Sequence, residues 1–577
     1  MSSTVAEMIV TALADQGVRT IWGVVGDALN PVTEAIRAEE RLEWVGVRHE
    51  EVAAFAAGAQ AQLTGTLGVC MGTVGPGSVH LLNGLYDAKK SHAPVLAICG
   101  QVPLAELGTD FFQEVDNDLL FRDVAVFTRT ITSAEQASTM LEQAIQSALT
   151  LPGVAVLTLP GDVGGLDLPK DAKPPTIAVA HPPTVPDGAA LDAAAALIDS
   201  ADTVTMLVGV GARGARPEVL AAAERLNAPI VLSLKAKEGL EQDNPFQVGQ
   251  SGLIGNPGAQ AAFDGGDVLL MVGTDFPYRE WYPAGKTVIQ IDARPEHIGR
   301  RTHVTAGLVG HAAPTLRALL DRVAAKSDDT HLRRSRDVYE RWVQRQQALT
   351  EPGHDKSLLG RVRGTFDNTA DRIRPEALAQ ALDRHAAADA VFTVDTGMAA
   401  VWFSRFMTMR DDRALLGSFN LGSMANAMPQ ALGAQALDRT RQVVALCGDG
   451  GLSMLLGDLI TAVSYDLPVK LIVFDNGRLG MVKLEQEQGG LPEFGTVLQN
   501  PDFAAVARAI GLHGVRVENP DDLDGAVRDA LAQPGPVLLD VLTNPEEISV
   551  PGKVKVGQAW GFAIAKMRET VLSQGDS

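Results

Sequence analysis

Two oxygen-bearing side chains, Asp449 and Asn476, stand at the ends of consecutive apolar strands in RQVVALCGDGGLSMLLGDLITAVSYDLPVKLIVFDNGRLGM. The first strand runs into Gly448-Asp449-Gly450, a helix is predicted to begin near Gly451, and the second strand runs into Asp475-Asn476-Gly477. In a parallel sheet such strands place their carboxyl ends on one edge, where ligands bind. The two side chains therefore converge. A carboxylate and an amide oxygen form a hard-oxygen donor set suited to Mg2+, which takes few protein ligands and completes its shell with phosphate oxygens. The backbone carbonyl of Arg478 can complete the protein's share. Gly448 and Gly450 let backbone amides approach a diphosphate, and the helix start adds its positive end. An isolated GDG is more often a plain strand-to-helix turn with Asp449 as the cap. The order strand, GDG, helix, strand, Asn selects the metal reading.

Elements of the same kind recur along the whole chain. At 577 residues it is too long for one core, and three blocks alternate short apolar strands with helical patterns. That alternation predicts an α/β fold of three doubly wound parallel-sheet domains, each sheet covered by helices on both faces. The blocks are expected at 1–175, 188–325 and 375–548, with a charged linker at 326–374 and a tail at 549–577. Strand candidates include Thr20–Val25, Val69–Thr73, Val268–Val272, Val288–Ile291, Gln442–Leu446 and Val469–Phe474. KPPTIAVAHPPTVPDG reads as a Pro-rich connection between the first two blocks, and Gln558–Leu572 as a helix in the tail. The blocks share a rhythm but no visible sequence repeat.

A net charge of -21 argues against nucleic acid and anionic lipid as partners of the surface as a whole. Three cysteines, Cys70, Cys99 and Cys447, have no paired spacing and suggest a reducing compartment without a zinc site. The first residues show helical rather than leader-like periodicity, and no apolar run has the length of a membrane span. A cytoplasmic enzyme, at most peripheral to the membrane, is the expectation.

The GDG segment resembles the signature of the thiamine diphosphate-dependent enzymes, which is GDG, a gap of this size, then two asparagines. The chain departs at the first asparagine, which is Asp475; the second is the family's ligand, so the metal site survives. In that family a carboxyl group bonds the cofactor's aminopyrimidine and so helps to form its reactive carbanion, which calls for a buried acid. RHEEVAAFAAGAQAQLTG resembles the family's glutamate motif and puts this role on Glu50, leaving Glu51 as a first-turn acid. Met424 matches the apolar residue that props the cofactor in its bent form. The resemblance also implies that first and third domains of different subunits share a site, so that a homodimer is the minimum unit and a tetramer is common.

Within the family the resemblance is to the pyruvate oxidase and pyruvate:quinone oxidoreductase branch, carried by GPGSVHLLNGLYDA, FFQE, DNPFQVG, GTDFPY, LLGSFN and GSMANAMPQALGAQA. It implies FAD in the middle block, contacted by Gly211, Arg213, Gly252, Gly273, Thr274, Phe276 and Asp292. Asp292, ending TVIQID, also stands where an acid can bind ribose hydroxyls, whereas GVGARGA alone is no dinucleotide fingerprint. His311 replaces an acid usual near the adenine, and Met481 stands at an often aromatic position. Phe112 and Gln113 resemble a pair lying over pyruvate, and Glu485 an acid near the reacting carbon; without the family, Phe112 reads as core and Gln113 as surface. The implied reaction is oxidative decarboxylation of pyruvate to acetate and CO2, with electrons leaving through FAD to a quinone. Relatives that reduce quinone carry a lipid-binding C-terminal segment, and this chain ends about where it would begin. Three alternatives stay open: an oxygen-dependent oxidase, a carboligase resembling acetolactate synthase with structural FAD, and a non-catalytic flavoprotein module.

Overall fold

A computed structural model describes residues 3–179, 182–350 and 372–545 of the chain. The first sheet is built from β1 (Thr20–Gly23), β2 (Glu43–Gly46), β3 (Gly68–Gly72), β4 (Val95–Gln101), β5 (Ala125–Thr130) and β6 (Val154–Pro160). The second takes β7 (Val204–Val208), β8 (Ile230–Leu232), β9 (Gln247–Gln250), β10 (Val268–Val272), β11 (Thr287–Asp292) and β12 (Ala306–Val309). The third takes β13 (Val391–Val394), β14 (Ala414–Gly417), β15 (Val443–Gly448), β16 (Lys470–Asp475), β17 (His513–Val517) and β18 (Val537–Leu542). Neighbouring strands pair in parallel, as between β15 and β16 or β7 and β10. The α/β class and three parallel sheets are as the sequence predicts.

Runs such as VLLMV in β10 are buried on both faces, which is why they read as continuous apolar strands rather than alternating ones. Strand order adds what the residues could not. The first sheet runs β2-β1-β3-β4-β6-β5 and the third β14-β13-β15-β16-β18-β17, the same order. The second runs β12-β11-β10-β7-β8-β9, which is the doubly wound dinucleotide-binding order with its reversal between β10 and β7. In each sheet the crevice for a ligand should lie at that reversal, outside the carboxyl ends of the strands.

Small residues let the first and third units meet closely. The helix Glu50–Thr64 lies against Ala427–Leu437, and a Cβ added at Gly433 would come within 2.3 Å of the Ala56 carbonyl oxygen. Their apolar residues form one continuous core, including Val52, Ala56, Leu432 and Leu459. The long helix Thr330–Leu349 is charged, as predicted, and buries only Ser335 among its residues. The tail helix expected at Gln558–Leu572 and most of the second half of the linker lie outside the described residues. Among the described residues no helix is long and apolar enough to cross a membrane.

Candidate active site

At the reversal of the third sheet, β13 runs into Asp395-Thr396-Gly397 and β15 into the GDG turn. The helix after the turn starts at Asp449 itself, two residues earlier than predicted, with Gly448 extended before it. Asp449 is 3% exposed. Its Oδ1 accepts from the Gly450 amide at 2.9 Å, and its Oδ2 accepts from the Gly477 amide at 2.7 Å and from Asn500 Nδ2 at 2.8 Å. The two strand ends are thus tied through the carboxylate. Burial pushes its pKa up to about 6, against the lowering effect of the Asn500 hydrogen bond. Asn476 Oδ1 accepts from the Arg478 amide at 2.9 Å, and one lone pair of that oxygen remains. Asp475, the departure from the family pattern, shares Asn500 Nδ2 at 2.7 Å.

Asp449, Asn476, Arg478, Gly448, Gly450 and Met424 line one cavity. Among the described residues a Cβ at Gly448 or Gly397 would meet nothing within 4 Å, which leaves open space where a diphosphate would sit, whereas a Cβ at Gly450 would lie 3.2 Å from Met424 Cε. These donors and this space fit a Mg2+-diphosphate group.

Asp395 was not anticipated, although it ends an apolar strand as Asp449 does. It is 1% exposed, and its two oxygens accept from the Ala427 amide at 3.0 Å and the Gly448 amide at 3.1 Å. One carboxylate thus joins the GDG turn to the segment after Met424. A Cβ at Gly451 would lie 2.3 Å from Asp395 Oδ2, which fixes glycine there. Burial raises the Asp395 pKa to about 7, opposed by the amides it accepts from. A carboxyl raised in the folded state holds its proton more tightly folded than unfolded. Its favourable contribution is therefore complete below the unfolded value of about 3.9 and is lost as pH climbs through 7. The apparent melting temperature of the ligand-free protein should fall across that window partly through this group. Asp395→Asn should flatten the slope; an unchanged slope in the variant would refute the assignment.

In the first unit, Glu50 opens its helix and is 7% exposed. Its position is set from the third unit, since the Asp458 carboxylate accepts from the Arg48 amide at 2.8 Å and the His49 amide at 3.1 Å. Glu50 Oε2 lies 3.0 Å from His80 Nδ1, and the His80 ring stacks on His49 at 4.4 Å. Glu51 accepts from Asn83 Nδ2 at 2.7 Å, in keeping with a first-turn acid. Glycines 75 and 77 bring Gln113 and Glu50 to one crevice: an added Cβ would lie 2.7 Å from the Gln113 carbonyl oxygen at Gly75 and 3.2 Å from Glu50 Oε1 at Gly77. Gln113 itself holds φ at 67°. Phe112 is 77% exposed, not the core residue its apolar type suggests, and lies in a turn segment outside the helices and strands. Glu485 is exposed on the helix Gly480–Gln488. No described residue of the first unit lines the Asp449 cavity.

The central sheet opens a larger cavity of about 370 Å³ at its own reversal. Gly211, Gly273, Thr274, Phe276 and Asp292 line it, as does His311. Thr274 and Phe276 are buried, and Phe276 packs edge-on against Tyr278 and Tyr282. Asp292 Oδ1 accepts from the Arg294 amide at 2.9 Å, and its other oxygen lies 3.4 Å from His297 Nδ1. Gly252 stands behind Phe276, whose ring a Cβ would approach to 3.2 Å. Arg213 faces a neighbouring cavity and pairs with Glu238. The His311 Nδ1 accepts from the Thr184 amide at 3.0 Å, so this ring is held by the first connection. The volume is within the range of cofactor sites. The larger cavity and the Asp449 cavity share Thr396, Gly397 and Met481.

Family comparison assigns each unit. Residues 3–120 match the thiamine pyrophosphate enzyme N-terminal TPP binding domain, 191–319 the central domain, and 395–541 the C-terminal TPP binding domain. The chain is 38% identical over 565 residues to the Bacillus subtilis protein YdaP, provisionally named as thiamine pyrophosphate-containing, covering 98% of this chain and 96% of that one. It is 30% identical to the pyruvate oxidase of Lactiplantibacillus plantarum over 96% of this chain and 91% of that one. It is likewise 30% identical to the acetolactate synthase large subunit of Corynebacterium glutamicum over 96% of this chain and 89% of that one. With all three units matched in order and full-length relatives at this identity, the chain belongs to the thiamine pyrophosphate enzyme family.

Proposed function

We propose that the protein oxidatively decarboxylates pyruvate to acetate and CO2 with thiamine diphosphate, Mg2+ and FAD, and passes the electrons to a quinone. The observation that carries this reading is the meeting of two cavities at Thr396, Gly397 and Met481. A carboligase with structural FAD does not pass electrons between its two cofactor sites, so reduction of the flavin by pyruvate separates the two readings. When bound, thiamine diphosphate supplies the electron sink for decarboxylation and FAD the two-electron acceptor.

The chain's own residues divide the work. Asp449, Asn476 and the Arg478 carbonyl would hold Mg2+, and Gly448 and Gly450 would admit the diphosphate beneath Met424. Glu50 would exchange a proton with the aminopyrimidine, with Gln113, Phe112 and Glu485 orienting pyruvate. Gly273, Thr274, Phe276 and Asp292 would seat FAD, with Gly211 at the sheet reversal. Because no described residue of the first unit lines the Asp449 cavity, a second copy would bring Glu50, in keeping with a homodimer as the minimum unit and a tetramer as its extension. Membrane contact, if a quinone is the acceptor, would be peripheral.

Anaerobic mixing with pyruvate, followed at the flavin absorbance, tests the reading. Bleaching that requires thiamine diphosphate and Mg2+ is expected, with recovery on adding a soluble quinone. Acetolactate formed without bleaching would sink the proposal, and recovery with oxygen but not quinone would move the acceptor to oxygen.

A further inference from the structure

Lys235, just past β8, stands in the wall between the larger cavity and its neighbour. Its ammonium donates to Gln62 Oε1 at 2.6 Å, the one hydrogen bond it makes among the described residues, although an ammonium carries three donors. Beside it lies Asp87, 1% exposed, whose Oδ2 accepts from Gln430 Nε2 at 3.0 Å while Oδ1 has no partner among the described residues. Four elements thus enclose a cation and its counter-charge: β8's exit and the helices Glu50–Thr64, Leu82–Lys90 and Ala427–Leu437. An incompletely bonded ammonium at a cavity wall is expensive to maintain without a ligand.

Its place in the cavity indicates which ligand atoms it would meet. On the FAD reading, Asp292 and His311 would mark the adenosine end. Thr396, Gly397 and Met481, shared with the Asp449 cavity, mark the end at which electrons must cross. Thr396 Oγ1 donates to the Ser418 carbonyl at 3.4 Å, and Ser418 lies beside Asp87, the neighbour of Lys235. Ser418 also lines the larger cavity, and Leu234, the residue before Lys235, packs on the core of the third unit, so Lys235 is assigned to the side of the cavity that faces the Asp449 site.

We propose that Lys235 is the fixed positive charge at the flavin ring and that it makes the bound flavin easier to reduce. The inference rests on the FAD reading above. Reduction by two electrons with uptake of one proton leaves one net negative charge on the ring, and an adjacent buried ammonium stabilises that charge more than the neutral oxidised ring. Burial lowers the Lys235 pKa, and the Asp87 and Glu238 carboxylates oppose that and favour the ammonium before reduction.

The test is a reductive titration of FAD-loaded protein against a reference dye, without substrate. Lys235→Met should shift the dye equilibrium at least about tenfold toward oxidised flavin, equivalent to about 30 mV for a two-electron couple. Lys235→Arg, which retains the charge, should restore most of the shift and serves if the Met variant does not fold. A yellow Met variant with an unchanged potential overturns the proposal, as does weaker FAD binding with the retained flavin unchanged, which would make Lys235 a phosphate anchor. A wild-type protein that binds no FAD overturns the underlying reading instead.

Discussion

Glu50→Gln is expected to slow pyruvate-dependent flavin bleaching by about 10²–10⁴-fold, the range ascribed to a positioned acid–base group. The amide has the shape of the acid and can still bond His80, so the helix start anchored by Asp458 should be preserved. It cannot exchange a proton with a ring nitrogen. The loss should therefore appear in the rate constant at saturating pyruvate, with thiamine diphosphate still bound and the melting temperature close to that of the wild type. A rate within a few-fold of wild type would remove Glu50 from the mechanism. A large loss of thermal stability would mean the residue matters for folding instead.

Asp449→Ala should abolish the stabilisation that Mg2+ and thiamine diphosphate confer. A ligand present at 100 times its Kd stabilises the folded state by about 2.7 kcal/mol, and a 100-fold loss of affinity leaves about 0.4 kcal/mol at the same concentration. Loss of a metal ligand should cost at least as much affinity as the roughly 10–100-fold seen for residues one layer further out. The ligand-free protein responds differently. At neutral pH the carboxylate is ionised against a burial penalty that raises its pKa to about 6, so its removal relieves a cost. It also takes the acceptor from the Gly450 amide and leaves the Gly477 amide and the Asn500 amide group with Asp475 alone, which opposes the gain. The ligand-free melting temperature should change little while the cofactor-induced shift disappears. A full shift in the variant would disprove the metal assignment.

The Asp449–Asn476 pair was legible because two local signals coincided, apolar strands and polar residues at their carboxyl ends. The same rule would have found Asp395 after Val391–Val394, had a lone acid without flanking glycines on both sides been given equal weight. Asn500 had no such mark, since it reaches Asp449 from a loop after the helix Gly480–Gln488 and before Phe503. Lys235 and Asp87 meet only through tertiary packing, because nothing in SLKAKEG or LYDAKK announces a partner. The identity of strand order in the first and third sheets was hidden for a related reason. Side-chain pattern reports which faces of a strand are buried, not which strand lies beside it. Phe112 illustrates the converse, an apolar side chain that stands exposed in a turn.

The cavity around Asp449 receives no side chain from the described residues of the first unit of its own chain. In the proposed dimer each site is then a composite, and inheritance of activity follows chains rather than sites. A subunit lacking Glu50 and a subunit lacking Asp449 are each inactive alone. Paired, they place both defects in one site and leave the other whole, so two null alleles can complement within a single assembly.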